Sequence, residues 1–187
     1  MVLLGSTGSI GVNTLIVAKK FNIAVEVLVC GSNIALLNKQ IQEHSPKVVV
    51  IANEADVKDV NHPRVYVGSE AILSVIEESE SELVVNALVG FLGLRPTLKA
   101  LECGKNVALA NKESLVACGA FIDTSKIQPI DSEHFGLWYL LQERPVSKMI
   151  ITASGGAFRD WELSRLKNAT LADTQNIQTG RWDKKSP

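Results

Sequence analysis

Asp131-Ser132-Glu133-His134 puts two carboxylates, a hydroxyl and an imidazole into four consecutive positions, directly after the apolar stretch Ile127-Gln128-Pro129-Ile130. Oxygen donors in such a cluster suit a hard divalent cation, which makes Asp131 and Glu133 candidate metal ligands. The stretch before the tetrad predicts a short strand, and Phe135 to Leu141 predicts an apolar helix. The tetrad therefore falls at the carboxyl end of a strand, where open α/β sheets bind their ligands. The same residues also fit a helix cap, with Asp131 or Ser132 accepting from first-turn N–H groups and Glu133 favoured there by the helix dipole.

A second group of candidates lies at the start of the chain. Gly5-Ser6-Thr7-Gly8-Ser9-Ile10-Gly11 follows the apolar Val2-Leu3-Leu4 and precedes a helical pattern running to Lys19-Lys20. Glycines spaced G-x-x-G-x-x-G between a strand and a helix let the backbone turn tightly and approach a pyrophosphate, whose charge rests on the helix N-terminus. Thr7, Ser9 and Ile10 would supply main-chain donors and a hydroxyl to the phosphates. The second strand ends on Cys30-Gly31-Ser32-Asn33. An acidic residue there would hold a ribose 2′-hydroxyl and repel a 2′-phosphate. Gly31, Ser32 and Asn33 carry no such charge, so NADPH is expected over NADH; Ser32 or Asn33 would also cap the next helix.

Ala110-Asn111-Lys112-Glu113-Ser114 closes a later strand at the same expected sheet edge. Asn111 and Glu113 fit a helix start, but Lys112 opposes the dipole in a first turn and points to an anionic ligand. Thr152-Ala153-Ser154-Gly155-Gly156-Ala157-Phe158-Arg159 offers a hydroxyl and two glycines where backbone can cradle a phosphate, or form a plain turn.

The elements that must position these groups alternate along the chain. Apolar strands are expected at Ile23 to Cys30, Lys47 to Ile51, Leu83 to Ala87, Asn106 to Leu109 and Val146 to Thr152, besides those at 2–4 and 127–130. Helices are expected at Ile34 to Ile41, Glu70 to Glu77, Leu94 to Leu101 and Glu113 to Phe121. Strands that are apolar throughout, separated by helix-length segments, predict an α/β fold with a doubly wound parallel sheet covered on both faces. Residues 1–130 are expected to form a Rossmann-like nucleotide-binding domain and 131–187 the start of an incomplete catalytic domain.

At 187 residues, 46% hydrophobic and 21% charged, with a net charge of -1, the chain has no basic surface for nucleic acid or anionic membrane. Its longest apolar run, Leu83 to Leu94, is broken by Asn86 and glycines and is too short to span a bilayer. Cys30, Cys103 and Cys118 are scattered without C-x-x-C spacing, as reduced thiols of a cytoplasmic protein would be.

The glycine loop, Ala110-Asn111-Lys112-Glu113-Ser114, Pro129-Ile130-Asp131-Ser132-Glu133-His134 and Ala153-Ser154-Gly155-Gly156-Ala157-Phe158-Arg159, in this order, closely resemble the 1-deoxy-D-xylulose 5-phosphate reductoisomerase family. The apolar Leu88-Val89-Gly90-Phe91-Leu92-Gly93-Leu94 is similar to a family segment as well. The resemblance implies an enzyme that isomerises a small phosphorylated sugar and reduces it to 2-C-methyl-D-erythritol 4-phosphate in the non-mevalonate isoprenoid pathway, using NADPH and Mg or Mn. It implies cofactor-binding roles for Thr7, Gly8, Ser9, Ile10, Gly31, Ser32, Asn33, Asn111 and Glu113. It implies substrate-binding roles for Lys112, Ser132, Glu133 and Ser154, metal ligation by Asp131 and Glu133, and catalytic positions for Lys112, Glu133 and His134. Family members are roughly twice as long and are expected to be homodimers. The family's His-Pro-Asn-Trp loop corresponds to Thr179-Gly180-Arg181-Trp182, which keeps only the Trp, and the third metal carboxylate and the phosphate clamp lie further on. The chain by itself is expected to bind NADPH without turnover. The competing expectations are another NADP-dependent oxidoreductase and a non-catalytic NADP-binding module.

Overall fold

Apolar triplets and quartets such as Val2-Leu3-Leu4 and Val48-Val49-Val50-Ile51 can be buried throughout only in a sheet covered on both sides. A computed structural model, which describes residues 1–141, 145–150, 157–158 and 160–175, has that arrangement. The strands are β1 (Val2–Leu4), β2 (Val27–Val29), β3 (Val48–Ile51), β4 (Val65–Val67), β5 (Leu83–Asn86), β6 (Asn106–Leu109) and β7 (Ile127–Pro129). All pair in parallel, in the order β4-β3-β2-β1-β5-β6-β7. Between them run α1 (Ser9–Lys20), α2 (Ile34–His44), α3 (Gly68–Glu78), α4 (Leu94–Glu102) and α5 (Lys112–Cys118). After β7 come α6 (Ser132–Leu141) and the short α7 (Leu163–Leu166) and α8 (Leu171–Gln175).

Strand alternation divides the core into two layers. Leu3, Leu28, Val49 and Val85 face Leu15 and Ala18 of α1 and Leu37 and Ile41 of α2. Val2, Leu4, Val27, Val50, Val84 and Val107 face Val75 and Ile76 of α3 and Ala100 of α4. Helices on both faces make the sheet doubly wound, and the strand order reverses at β1, between β2 and β5, which opens a crevice at the carboxyl ends. The backbone groups into one unit over Met1–Trp138 and a second beginning at Tyr139. Among the described residues no helix is long and apolar enough to cross a membrane.

Two expectations need correction. No strand forms over residues 146–150, where Val146, Met149 and Ile150 are exposed. A strand persists only where a neighbour satisfies its N–H and C=O groups, and among the described residues none lies beside this segment; residues 151–152 lie outside the described set. The second strand is also shorter than Ile23 to Cys30, because Ile23 donates to Ala18 O and closes α1 with Asn22 at a φ of 55°. Conversely, β4 was not expected. It is a three-residue edge strand with Tyr66 exposed, and it carries no continuous apolar run to announce it.

Candidate active site

The glycine loop works by letting backbone touch backbone. A Cβ on Gly11 would lie 2.2 Å from Gly5 O and 2.6 Å from Ser6 O, and one on Gly5, whose φ is +82°, would lie 2.7 Å from Ala87 O. The loop is pinned to β2 by Gly5 and Ser6, whose N–H groups both donate to Val29 O at 2.9 Å. Gly8 occupies the N-cap of α1 and offers no side chain to close it. Among the described residues nothing accepts from the N–H groups of Ser9, Ile10 and Gly11, so the positive end of a 12-residue helix opens on the crevice. Gly8, Ser9 and Ile10 are exposed there, and Thr7 is half-buried, with its hydroxyl 3.3 Å from Cys30 Sγ. Burial pushes the Cys30 thiol above its ordinary value, which keeps it neutral beside the loop.

One strand over, Gly31, Ser32 and Asn33 are all exposed after β2. A Cβ on Gly31 would meet nothing within 4 Å, so there is room beside it. Asn33 caps α2 by accepting from Leu36 N at 3.2 Å, and its cap role coexists with an open position at the sheet edge.

On the other side of β1 the loop after β5 carries Val89 and Phe91 at 80% and 76% exposure. Two asparagines hold it. Asn86 Nδ2 donates to Gly93 O and to Thr97 Oγ1, both at 2.8 Å, while its Oδ1 accepts from Leu88 N at 3.2 Å. Asn111 Nδ2 donates to Leu88 O at 2.9 Å and Gly90 O at 2.8 Å, and its Oδ1 accepts from Ser114 N and Ser114 Oγ at the start of α5. Asn111 is 1% exposed and its amide is fully occupied. The structure thus places Asn111 as the anchor of the 88–93 loop, with no side-chain atom left to meet a ligand directly. Asn86, an amide at the end of an otherwise apolar strand, has the same function and could have been noticed as that anomaly.

Because β6 and β7 are neighbours, the segments that follow them converge. Lys112 Nζ lies 3.8 Å from Glu133 Oε2, which also accepts from Ser132 Oγ at 3.1 Å. Asp131 caps α6: its Oδ1 accepts from His134 N at 3.0 Å and pairs with His134 Nδ1 at 2.7 Å. Burial raises the Asp131 carboxyl, but the backbone N–H and imidazole of His134, with the charge of Lys112, outweigh it and leave the group below the usual carboxylate range. Both bonds fall on Oδ1, which leaves Oδ2 available. An ionised Asp131 can only accept, so the pairing puts a hydrogen on His134 Nδ1. Capping and ligation are therefore compatible here, one oxygen for each. Glu113 is half-buried in the first turn of α5. Ser154 lies outside the described residues, as does Thr179-Gly180-Arg181-Trp182. Among the described residues no group of three or more His, Cys, Asp or Glu side chains converges as a metal cage.

Comparison with known proteins identifies the family. Residues 1–119 match the family described as 1-deoxy-D-xylulose 5-phosphate reductoisomerase, and residues 127–183 match the C-terminal domain of the same name. The chain is 60% identical over 181 residues to the 1-deoxy-D-xylulose 5-phosphate reductoisomerase of Nautilia profundicola, covering 92% of this chain and 50% of that protein. It is 54% identical over 169 residues to the enzyme of Wolinella succinogenes, covering 89% and 47%. The chain spans about half the length of the curated relatives it matches. Among solved structures, the Zymomonas mobilis reductoisomerase in complex with NADPH superposes with a TM-score of 0.75 at 32% identity, over 90% of this chain and 49% of that one. A reductoisomerase in complex with NADPH, fosmidomycin and magnesium gives 0.70 at 30%, over 92% and 49%. With a family model matched over residues 1–119 and a relative 60% identical over 92% of the chain, the chain belongs to the 1-deoxy-D-xylulose 5-phosphate reductoisomerase family.

Proposed function

We propose that this chain is the nucleotide-binding part, with the first metal carboxylates, of an enzyme that isomerises 1-deoxy-D-xylulose 5-phosphate and reduces it to 2-C-methyl-D-erythritol 4-phosphate with NADPH and a divalent ion. The observation that carries the reading is the shared sheet edge: the open α1 N-terminus follows β1, and Lys112 and Glu133 follow the adjacent strands β6 and β7 of the same sheet, with β5 between.

The residues fit the cofactor. Free N–H groups of Ser9, Ile10 and Gly11 suit a pyrophosphate, and the uncharged, roomy Gly31-Ser32-Asn33 suits a 2′-phosphate. Asp131 Oδ2 and Glu133 fit a hard divalent ion as part of the roughly six oxygens it takes. When bound, such an ion polarises a substrate carbonyl, and NADPH supplies hydride. What the chain's own residues do follows from their contacts. Lys112 offers its ammonium to substrate oxygen while holding Glu133; Ser132 orients the same carboxylate; Asp131 fixes the His134 ring so that Nε2 can accept a substrate hydroxyl proton. Residues 1–130 bind the nucleotide, and those from 131 onward begin the catalytic part. With two carboxylates in place, the chain alone binds NADPH and does not turn substrate over, since positioning by further ligands supplies a large share of the barrier lowering.

Thermal unfolding with NADPH tests this. Cofactor at a hundred times its Kd stabilises by about 2.7 kcal/mol, a midpoint rise of about 5 to 10 °C for a chain of this size. Mn binding followed by electron paramagnetic resonance should weaken in Glu133→Gln while the NADPH shift persists. Absence of any NADPH shift, or Mn binding indifferent to Glu133, would overturn the reading.

A further inference from the structure

Gln40 sits in the middle of α2, 5% exposed, and no sequence pattern marks it as functional. Its Nε2 reaches out of the helix and donates to the carbonyl of Ser6 in the glycine loop at 2.8 Å. The same carbonyl faces Gly11 from the other side, at 2.6 Å from where a Cβ would stand. The Ser6 oxygen is thus held between the amide of Gln40 and the glycine of α1. A trans peptide is planar, and its C=O and following N–H point in opposite directions. Fixing Ser6 O toward α2 therefore turns the Thr7 N–H away from α2, and among the described residues that N–H has no acceptor.

Two further observations concern the same loop. Gln40 Oε1 and Ser6 Oγ are both buried without a hydrogen-bond partner among the described residues, a desolvation penalty that apolar side chains of similar shape would avoid. A second contact, Thr7 Oγ1 to Cys30 Sγ, ties the same loop residue to the end of β2. From Cys30 the chain runs through Gly31-Ser32-Asn33 directly into α2, so the segment facing a 2′-phosphate and the amide that sets the pyrophosphate loop belong to one element.

We propose that Gln40 is a positioning residue for cofactor binding: through Ser6 O it aims the Thr7 N–H at the pyrophosphate. This rests on the NADPH-binding reading above. It predicts a selective loss. Gln40→Met keeps length and removes the donor; NADP+ should bind about tenfold more weakly, whereas adenosine 2′-phosphate, which has no pyrophosphate, should change by less than twofold. Gln40→Glu places an acceptor against Ser6 O and should be worse at pH 7.5, then recover relative to wild type as the new carboxyl is protonated and can donate. Titrations of the 187-residue chain by nuclear magnetic resonance give both affinities. In the unaltered chain the Thr7 amide and the Gln40 side-chain NH2 signals should shift on NADP+ addition, a readout that needs no variant to fold. Failure of the wild-type chain to bind NADP+ would refute the functional reading itself. Wild-type binding with Gln40→Met within twofold of it, equal losses for both ligands, or a Thr7 amide unmoved by NADP+ would overturn the role of Gln40.

Discussion

Removing the Asn111 amide should release the 88–93 loop and cost a substantial share of the chain's stability. Its Nδ2 donates to Leu88 O and Gly90 O, and its Oδ1 caps α5 through Ser114. Loss of a helix cap costs about 1 kcal/mol, and each carbonyl stripped of a partner about 1 kcal/mol where water can replace the bond. Asn111→Ala should therefore destabilise by about 3 kcal/mol, out of a total on the order of 5 to 15 kcal/mol for a natural domain. Urea unfolding followed by far-ultraviolet circular dichroism measures this as a lower midpoint at unchanged slope. Asn111→Asp separates the two halves of the interaction, since it keeps the cap acceptor and turns a carboxyl toward two carbonyl oxygens. Burial and those oxygens raise the pKa of the new group, so its folded state is favoured while protonated and loses stability as pH rises through that value. The variant should be worst near neutrality and approach wild type on mild acidification. An Asn111→Ala chain within about 0.5 kcal/mol of wild type would refute the assignment, because that is the range of an inconsequential surface change.

Ser32→Asp should weaken NADPH more than NADH, because a carboxylate there repels the 2′-phosphate; parallel fluorescence titrations would show it, and equal effects on both cofactors would contradict the specificity argument. Gly11→Ala should abolish NADPH binding and lower stability by about 1 to 3 kcal/mol, since its Cβ meets the backbone oxygens of Gly5 and Ser6, which cannot rotate aside; calorimetry with and without NADPH checks both. The Asp131 carboxyl lies below its ordinary value in the folded chain, so its contribution is present above the unfolded value, about pH 4, and is lost as pH falls through the lower folded one. The stability difference between wild type and Asp131→Asn should accordingly shrink below about pH 4, and a difference constant from pH 6 to 2.5 would count against the His134 pairing.

The glycine loop, the strands at β1, β3, β5, β6 and β7 and the position of the Asp131 tetrad were legible in the amino-acid order because each depends on short-range physics. A Gly5-x-x-Gly8-x-x-Gly11 turn needs residues without Cβ within seven positions, and a strand buried on both faces needs an unbroken apolar run. The doubly wound class followed from their alternation with helices. Tertiary structure decided what depends on neighbours distant in sequence. β4 exists because β3 offers it an edge, while among the described residues no strand forms over 146–150. Lys112 meets Glu133 only because β6 and β7 are adjacent. Asn111 read locally as a helix start, and it does cap α5, but its amide also holds carbonyls 21 and 23 residues away. Gln40 bonds to a residue 34 positions earlier. Side-chain hydrogen bonds have no sequence period, so which amides serve the ligand and which hold the loops that serve it is settled only when the sheet brings those loops to one edge.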